Sequence, residues 1–238
     1  MIPDAGLLLA AALVAFYLQD SAHLLYVDEV VVVGGRRGWR FALGSLELGG
    51  RYLHLPNPFL PARPAFRAKW LATDQDAAEH SADLTPFLAA VAPLGRCCIA
   101  LWCLLLVVLP VAILAWRVPI LLLTLLGAVY ALIAAMLVLL ALRRDRLGMS
   151  GRAVAALGAG ILFCPPHAIN LLRKVCLSRG LHGDPLALAA ATLTPDARAR
   201  LRKQIEGRLE LLANAGDDDA WPESIVNARL GQVREMLP

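Results

Sequence analysis

Charge is nearly missing from the middle of this chain. Between residues 97 and 142 the only charged side chain is Arg117. Over the whole sequence charged residues make up 18% and hydrophobic ones 58%, against about 25% and 45–50% in ordinary soluble domains. A disordered chain, a fibrous repeat and a plain soluble enzyme are all excluded by that distribution. Lysine is scarce, with only Lys69, Lys174 and Lys203. Set beside abundant Arg, Ala and Leu, this is the codon signature of a GC-rich bacterial genome. Residues 1–26 hold no base at all, only Asp4 and Asp20. They therefore lack the positive n-region of a cleavable signal, and the segment is expected to be retained. A net charge of +4 is too small to argue for nucleic acid. The five cysteines, Cys97, Cys98, Cys103, Cys164 and Cys176, are odd in number and lie in or beside apolar segments. They form no disulfide framework and read as small buried hydrophobes. A phosphate-binding glycine loop, G-x-S-x-G, H-E-x-x-H and C-x-x-C are all absent, so no enzymatic activity is assigned.

What the chain does have is long apolar runs. A hydrocarbon core of about 30 Å takes roughly 20 helical residues to cross. Cys97–Trp116 and Pro119–Leu142 each supply that length, and with only Arg117 and Val118 between them they predict a tight antiparallel hairpin. Ala5–Leu18 is apolar apart from Tyr17, then Gln19, Asp20 and His23 interrupt before Leu24-Leu25-Tyr26. A first span over 1–26 is expected, its alternative being a surface helix. Ala153–Ile169 is a fourth apolar stretch, broken by Cys164-Pro165-Pro166-His167, where paired prolines remove two backbone donors. Its flanks are both basic, Arg152 before and Arg173, Lys174 and Arg179 after. A re-entrant or interfacial helix is therefore expected, with a fourth span as the alternative. Arg36, Arg37 and Arg40 after the first span, and Arg96 and Arg143–Arg152 around the hairpin, place the N-terminus outside by the excess of cytoplasmic bases.

Two polar portions remain. Val30–Val33, Trp39–Leu43, Leu46–Leu48 and Arg51–Leu55 read as strands joined by glycine-rich turns. A meander this small needs support from the membrane, a partner or the tail. Pro56-Asn57-Pro58-Phe59-Leu60-Pro61-Ala62-Arg63-Pro64 is extended by composition. It reads as a stiff connector, although its P-x-x-P spacings also fit a ligand for an aromatic groove. Asp74, Asp76, Glu79 and Asp83 make the next segment a solvated helix or loop, and Thr85-Pro86 starts a short helix leading to Arg96. In the tail, Asp184-Pro185 and Thr194-Pro195 are N-cap residues followed by proline at the first helical position. Leu201, Ile205, Leu209 and Leu212 form one apolar stripe, and Val226, Leu230, Val233 and Leu237 another. Mutual packing of these helices is expected, with docking on an anionic leaflet as the alternative.

The fold class that follows is an α-helical multi-pass membrane protein. It has three transmembrane helices plus one re-entrant, interfacial or fourth helix, a small cytoplasmic antiparallel β-meander and a helical C-terminal tail. The expected organisation is 1–26, first transmembrane helix; 27–70, meander and Pro-rich connector; 71–96, acidic loop and lead-in helix; 97–142, transmembrane hairpin; 143–175, basic loop and broken membrane helix; and 176–238, cytoplasmic tail.

Three constellations could carry chemistry. Cys164 and His167 at the Pro-Pro break could bind a soft metal or haem iron, although one such pair gives two ligands where a structural zinc takes four; a buried thiol beside an interfacial imidazole is the alternative. Asp20 and His23, three apart, would share a helix face, and ionisable groups in a membrane are suspects for proton-linked work. Gly127, Ala131 and Ala135, and likewise Gly151, Ala155 and Ala159, keep the spacing of four that lets helices approach closely. The expected function is that of a non-enzymatic bacterial inner-membrane anchor or assembly protein. Its partners would be the bilayer and a protein or second copy, with no cofactor required. A small transporter or channel subunit and a metal- or haem-handling protein are the alternatives.

Overall fold

The computed structural model describes residues 5–35, 38–44, 46–70, 84–116, 118–181, 184–214 and 223–237. Arg36, Arg37, the acidic run 74–83, Arg117 and the 215–222 linker, all used in the sequence reading, lie outside the described residues. The chain divides into two compact units. One is Met1–Ala22, Leu55–Pro64 and Thr85–Arg179; the other is His23–His54, Ala65–Leu84 and Gly180–Pro238.

The first unit is helical. It holds α1 (Ala5–Ser21), α2 (Leu84–Cys103), α3 (Leu109–Val111), α4 (Pro119–Arg143), α5 (Gly151–Phe163), α6 (Pro165–Ala168) and α7 (Leu171–Arg179). Between α2 and α3, and again after α3, the helix widens to π geometry over Leu104–Val108 and Ala112–Trp116. Pro110 lies between the two wide turns; it offers no N–H to the carbonyl four residues earlier and its ring crowds that turn, and a wider turn relieves both. Leu84–Trp116 and Pro119–Arg143, with 33 and 25 residues, are long and apolar enough to cross a membrane, and they include the two predicted apolar runs.

Pro93, inside α2, likewise deprives the Ala89 carbonyl of its helical donor. The Arg143 guanidinium, at the end of α4, lies 3.5 Å from that carbonyl and donates to the Ala90 carbonyl at 2.8 Å. Helix α5 packs on α4 through Gly158, where an added Cβ would sit 3.2 Å from a Leu137 methyl. Neither predicted stripe makes that approach: Gly127, Ala131 and Ala135, and Gly151, Ala155 and Ala159, are all exposed.

Two helix ends differ from expectation. Helix α1 stops at Ser21, where the Ala22 N–H closes on the Leu18 and Gln19 carbonyls, and a strand begins at His23. Its 17 residues make about 25 Å. Helix α5 begins on the Ser150 cap and ends at Cys164, giving 13 residues or about 20 Å. The break comes where Pro165 and Pro166 start the single turn of α6.

The second unit contains β1 (His23–Leu25), β2 (Glu29–Gly35), β3 (Gly38–Ala42), β4 (Leu46–Leu48), β5 (Arg51–His54) and β6 (Ala65–Lys69), with α8 (Pro185–Thr192), α9 (Pro195–Asn214) and α10 (Glu223–Met236). The four expected strands are present and antiparallel, but β3 and β4 do not pair. The strands form two sheets, ordered β1-β5-β4 and β3-β2-β6, rather than one meander. Gly44 allows the turn from one sheet to the other: its φ is +79°, and a Cβ there would meet the Leu53 carbonyl oxygen at 3.0 Å. Strand β6 grows out of the end of the Pro-rich segment. It pairs Ala65–Lys69 with Val33–Glu29, which makes β2 the central strand of its sheet.

Central placement explains why Val30, Val31 and Val32 are all buried. Val30 and Val32 join Trp70 and the tail stripes Leu201, Ile205, Leu209, Val226, Val233 and Leu237 in one core, while Val31 packs with Leu25 and Ala65. The apolar faces of α9 and α10 are thus buried in a core they share with the sheet. Each such aliphatic side chain contributes about 1.5–3 kcal/mol. Asp184 caps α8 by accepting from the Leu186 N–H at 3.0 Å, and holds Arg229 on α10 at 2.6 Å. Arg208 on α9 is buried with its guanidinium 3.7 Å above the Tyr52 ring. Desolvation lowers it to about 10, so it stays charged at neutral pH.

Candidate functional site

Where α1 ends, polar residues replace apolar ones at helical spacing: Tyr17, Asp20 and Ser21. After the Pro-Pro break they recur at His167, Asn170, Arg173 and Lys174. The first unit brings the two sets together. Asp20 Oδ1 lies 2.6 Å from Lys174 Nζ and 3.6 Å from His167 Nδ1, and Asn170 Nδ2 donates to Asp20 Oδ2 at 3.1 Å. The Ser21 hydroxyl donates to the Tyr17 carbonyl at 2.8 Å and accepts from Asn170 Nδ2 at 2.9 Å. Asn170 Oδ1 accepts from Arg173 Nη1 at 3.0 Å.

From there the network reaches the Pro-rich segment. Arg173 Nη2 donates to the carbonyls of Asn57 and Leu60 at 2.8 Å each, and the Tyr17 hydroxyl donates to the Pro58 carbonyl at 2.6 Å. The segment is therefore not extended. It forms two turns, Leu60 N–H to the Asn57 carbonyl and Arg63 N–H to that of Leu60. An arginine suits this position because the two arms of its planar fork serve both sides at once, Nη2 the two carbonyls and Nη1 Asn170 Oδ1.

Burial within the cluster is graded. Tyr17, Ser21, Asn170 and Arg173 are buried, whereas the His167 and Lys174 side chains are 29% and 24% exposed against 9% for Asp20. The imidazole and the ammonium thus lie on the more open side of the carboxylate. The buried residues hold that carboxylate in place.

Asp20 and His167, drawn from two different predicted constellations, are the two expected residues found together. His23 is not on α1 but opens β1, in register with His54. Cys164 is the half-buried residue between α5 and α6, and its carbonyl accepts the His167 N–H at 2.9 Å. Among the described residues no group of three or more His, Cys, Asp or Glu could hold a metal ion. Asn170, Tyr17 and Ser21 belong to no local motif, and in sequence Arg173 and Lys174 read only as flanking charge. Their helical spacing on both sides of the cluster was the available signal. No protein-family model, curated protein or solved structure matches this chain.

Proposed function

We propose that the chain is a multi-pass bacterial inner-membrane protein with no enzymatic activity, in which the helical unit is the anchor and the strands with the tail helices are a folded cytoplasmic body offered to a partner. The observation that carries this reading is where apolar surface is left uncovered. In the most apolar stretches of Leu84–Trp116 and Pro119–Arg143 only 22% of the residues are buried. Ile120, Leu123, Leu142 and Phe163 stand among the exposed side chains. A helix buried as the core of a soluble protein would have those faces covered, and water would not tolerate so large a continuous apolar surface. The second unit, in contrast, covers its own stripes with its own sheet. It behaves as a domain, so its attachment to a membrane comes through the helices.

In this reading the hairpin spans and α1 crosses with its N-terminus outside, its 17 residues standing at the lower end of the roughly 17–25 a span takes. The 13-residue α5, below that range, is interfacial or re-entrant. Expressed in a bacterium, the chain stays in the membrane pellet after alkaline carbonate washing. A C-terminal reporter is then active on the cytoplasmic side, and a stoichiometric protein copurifies from mild detergent. Release by carbonate would refute the anchor, and purification as a bare homo-oligomer would refute the partner.

A second reading, a proton-linked transport subunit, is favoured by one contact, the meeting of Asp20 with His167 and Lys174. Asp20→Asn and His167→Gln would each abolish a pH-dependent solute phenotype under that reading and leave the anchor reading untouched.

A further inference from the structure

A cavity of about 470 Å³ opens in the second unit between the edge strand β3 and helix α9, lined by Arg40 and Phe41 on the strand, Leu193 before the helix, and Arg200, Leu201 and Gln204 on it. Its size falls in the range of small-molecule sites, about 300–1,000 Å³. The floor is apolar: Leu201 is buried, and Phe41 and Leu193 are half-buried. The rim carries two exposed guanidiniums from separate elements. Among the described residues neither Arg40 nor Arg200 has an ion-pair partner. Asp196, one helical turn before Arg200, makes no ion pair with it. Ala197, in the first turn of the 20-residue α9, also lines the cavity.

We infer that this cavity binds a small organic oxyanion, a phosphate or carboxylate group carried on a compact apolar body. Two guanidiniums that line one cavity, neither ion-paired among the described residues, can both bond a single anion placed between them. Guanidiniums meet oxyanions through paired, charge-assisted hydrogen bonds. Phe41, Leu193 and Leu201 supply what a bare inorganic anion cannot use, the burial of an attached ring or chain, and the Gln204 amide adds one donor and one acceptor. The recognised chemistry is shared by a soluble metabolite-like anion and by the headgroup end of an anionic phospholipid.

The test uses the full chain in phosphatidylcholine nanodiscs, titrated calorimetrically with phenyl phosphate and with inorganic phosphate. Saturable one-to-one binding of phenyl phosphate, at least tenfold tighter than inorganic phosphate, is expected. Arg40→Gln and Arg200→Gln should each weaken it about tenfold with unchanged melting, since both side chains are exposed. A soluble short-chain phosphatidylglycerol that displaces phenyl phosphate more effectively than glycerol phosphate does would assign the site to lipid headgroups, and the reverse order to soluble anions. Absence of saturable binding, or equal affinity in the double variant R40Q/R200Q, overturns the inference.

Discussion

Replacing Arg173 tests how the polar cluster holds the Pro-rich segment to the helices. The side chain is 2% exposed. It makes two hydrogen bonds of 2.8 Å to the Asn57 and Leu60 carbonyls and one of 3.0 Å to Asn170 Oδ1. Arg173→Met keeps the stem and removes the fork. Were the three acceptors left wholly without partners, each would cost about 1–3 kcal/mol. They are not, because the two carbonyls keep turn bonds from the Leu60 and Arg63 N–H groups, and losing a buried cation also returns its desolvation energy. The net loss is therefore about 2–3 kcal/mol, near the low end of that sum. Hydrogen exchange followed by mass spectrometry on the full chain in mild detergent reads it directly. Exchange at the amides of Leu60 and Arg63 should accelerate by about 30- to 150-fold, since 1.4 kcal/mol is one decade. Arg173→Lys should fall between, because one ammonium lacks the second arm of the fork, the one that bonds Asn170 Oδ1 while Nη2 holds the carbonyls. If the methionine variant protected these amides as well as the parent does, or if lysine restored full protection, the arginine fork would not be what pins the segment.

Three more perturbations probe other joints. Asp184→Ala removes both the cap of α8 and the partner of Arg229, whose side chain is 9% exposed; a loss of about 2–3 kcal/mol is expected in a denaturant melt, against about 1 for a cap alone. Glu206 on α9 is held below its ordinary value by hydrogen bonds from Arg234 on α10 and Arg202. A depressed carboxyl contributes stability above its unfolded value and loses it as pH falls through the folded one. The α9–α10 contact should therefore weaken below about pH 4.5, and Glu206→Gln should remove that part of the acid response in a pH-dependent melt. Gly158→Leu drives atoms into Leu137, where a Cβ alone would be at 3.2 Å, and should lower thermal stability, whereas Gly127→Leu, with nothing near its missing Cβ, should not. Equal melting temperatures for Gly158→Leu and the parent would mean that α4 and α5 do not pack as described.

Much of the architecture was legible because it depends on local composition. The two long apolar helices follow from runs nearly free of charge. The helix starts at Pro185 and Pro195 follow from a cap residue before proline, and the break at Cys164 from paired prolines. Of the stripes on α9 and α10, Leu201, Ile205, Leu209, Val226, Val233 and Leu237 are buried and Leu230 is half-buried, while the Leu212 side chain lies outside the described residues. Hidden from local pattern was the strand character of Ala65–Lys69, which depends on pairing with β2 more than thirty residues earlier. The helix end at Ser21 was likewise masked by the apolar Leu24 and Leu25, which are as suited to a strand as to a span.

The candidate site divides along the same line. Asp20 and His167 were each visible as ionisable residues at an apolar boundary, and each was assigned a neighbour in sequence, His23 and Cys164. Local spacing can propose only such neighbours. Which carboxylate meets which imidazole depends on how α1, α6 and α7 pack, nearly 150 residues apart in the chain, and on Asn170 and Arg173 satisfying the groups buried between them. Local sequence thus decided that the chain has long apolar helices and a helical tail with apolar stripes, since both follow from composition and periodicity. Tertiary packing alone decided the two-sheet topology, the folding of the Pro-rich segment against Arg173, and the assembly of the Asp20 cluster, because partners far apart in sequence are selected by the geometry of the packed elements.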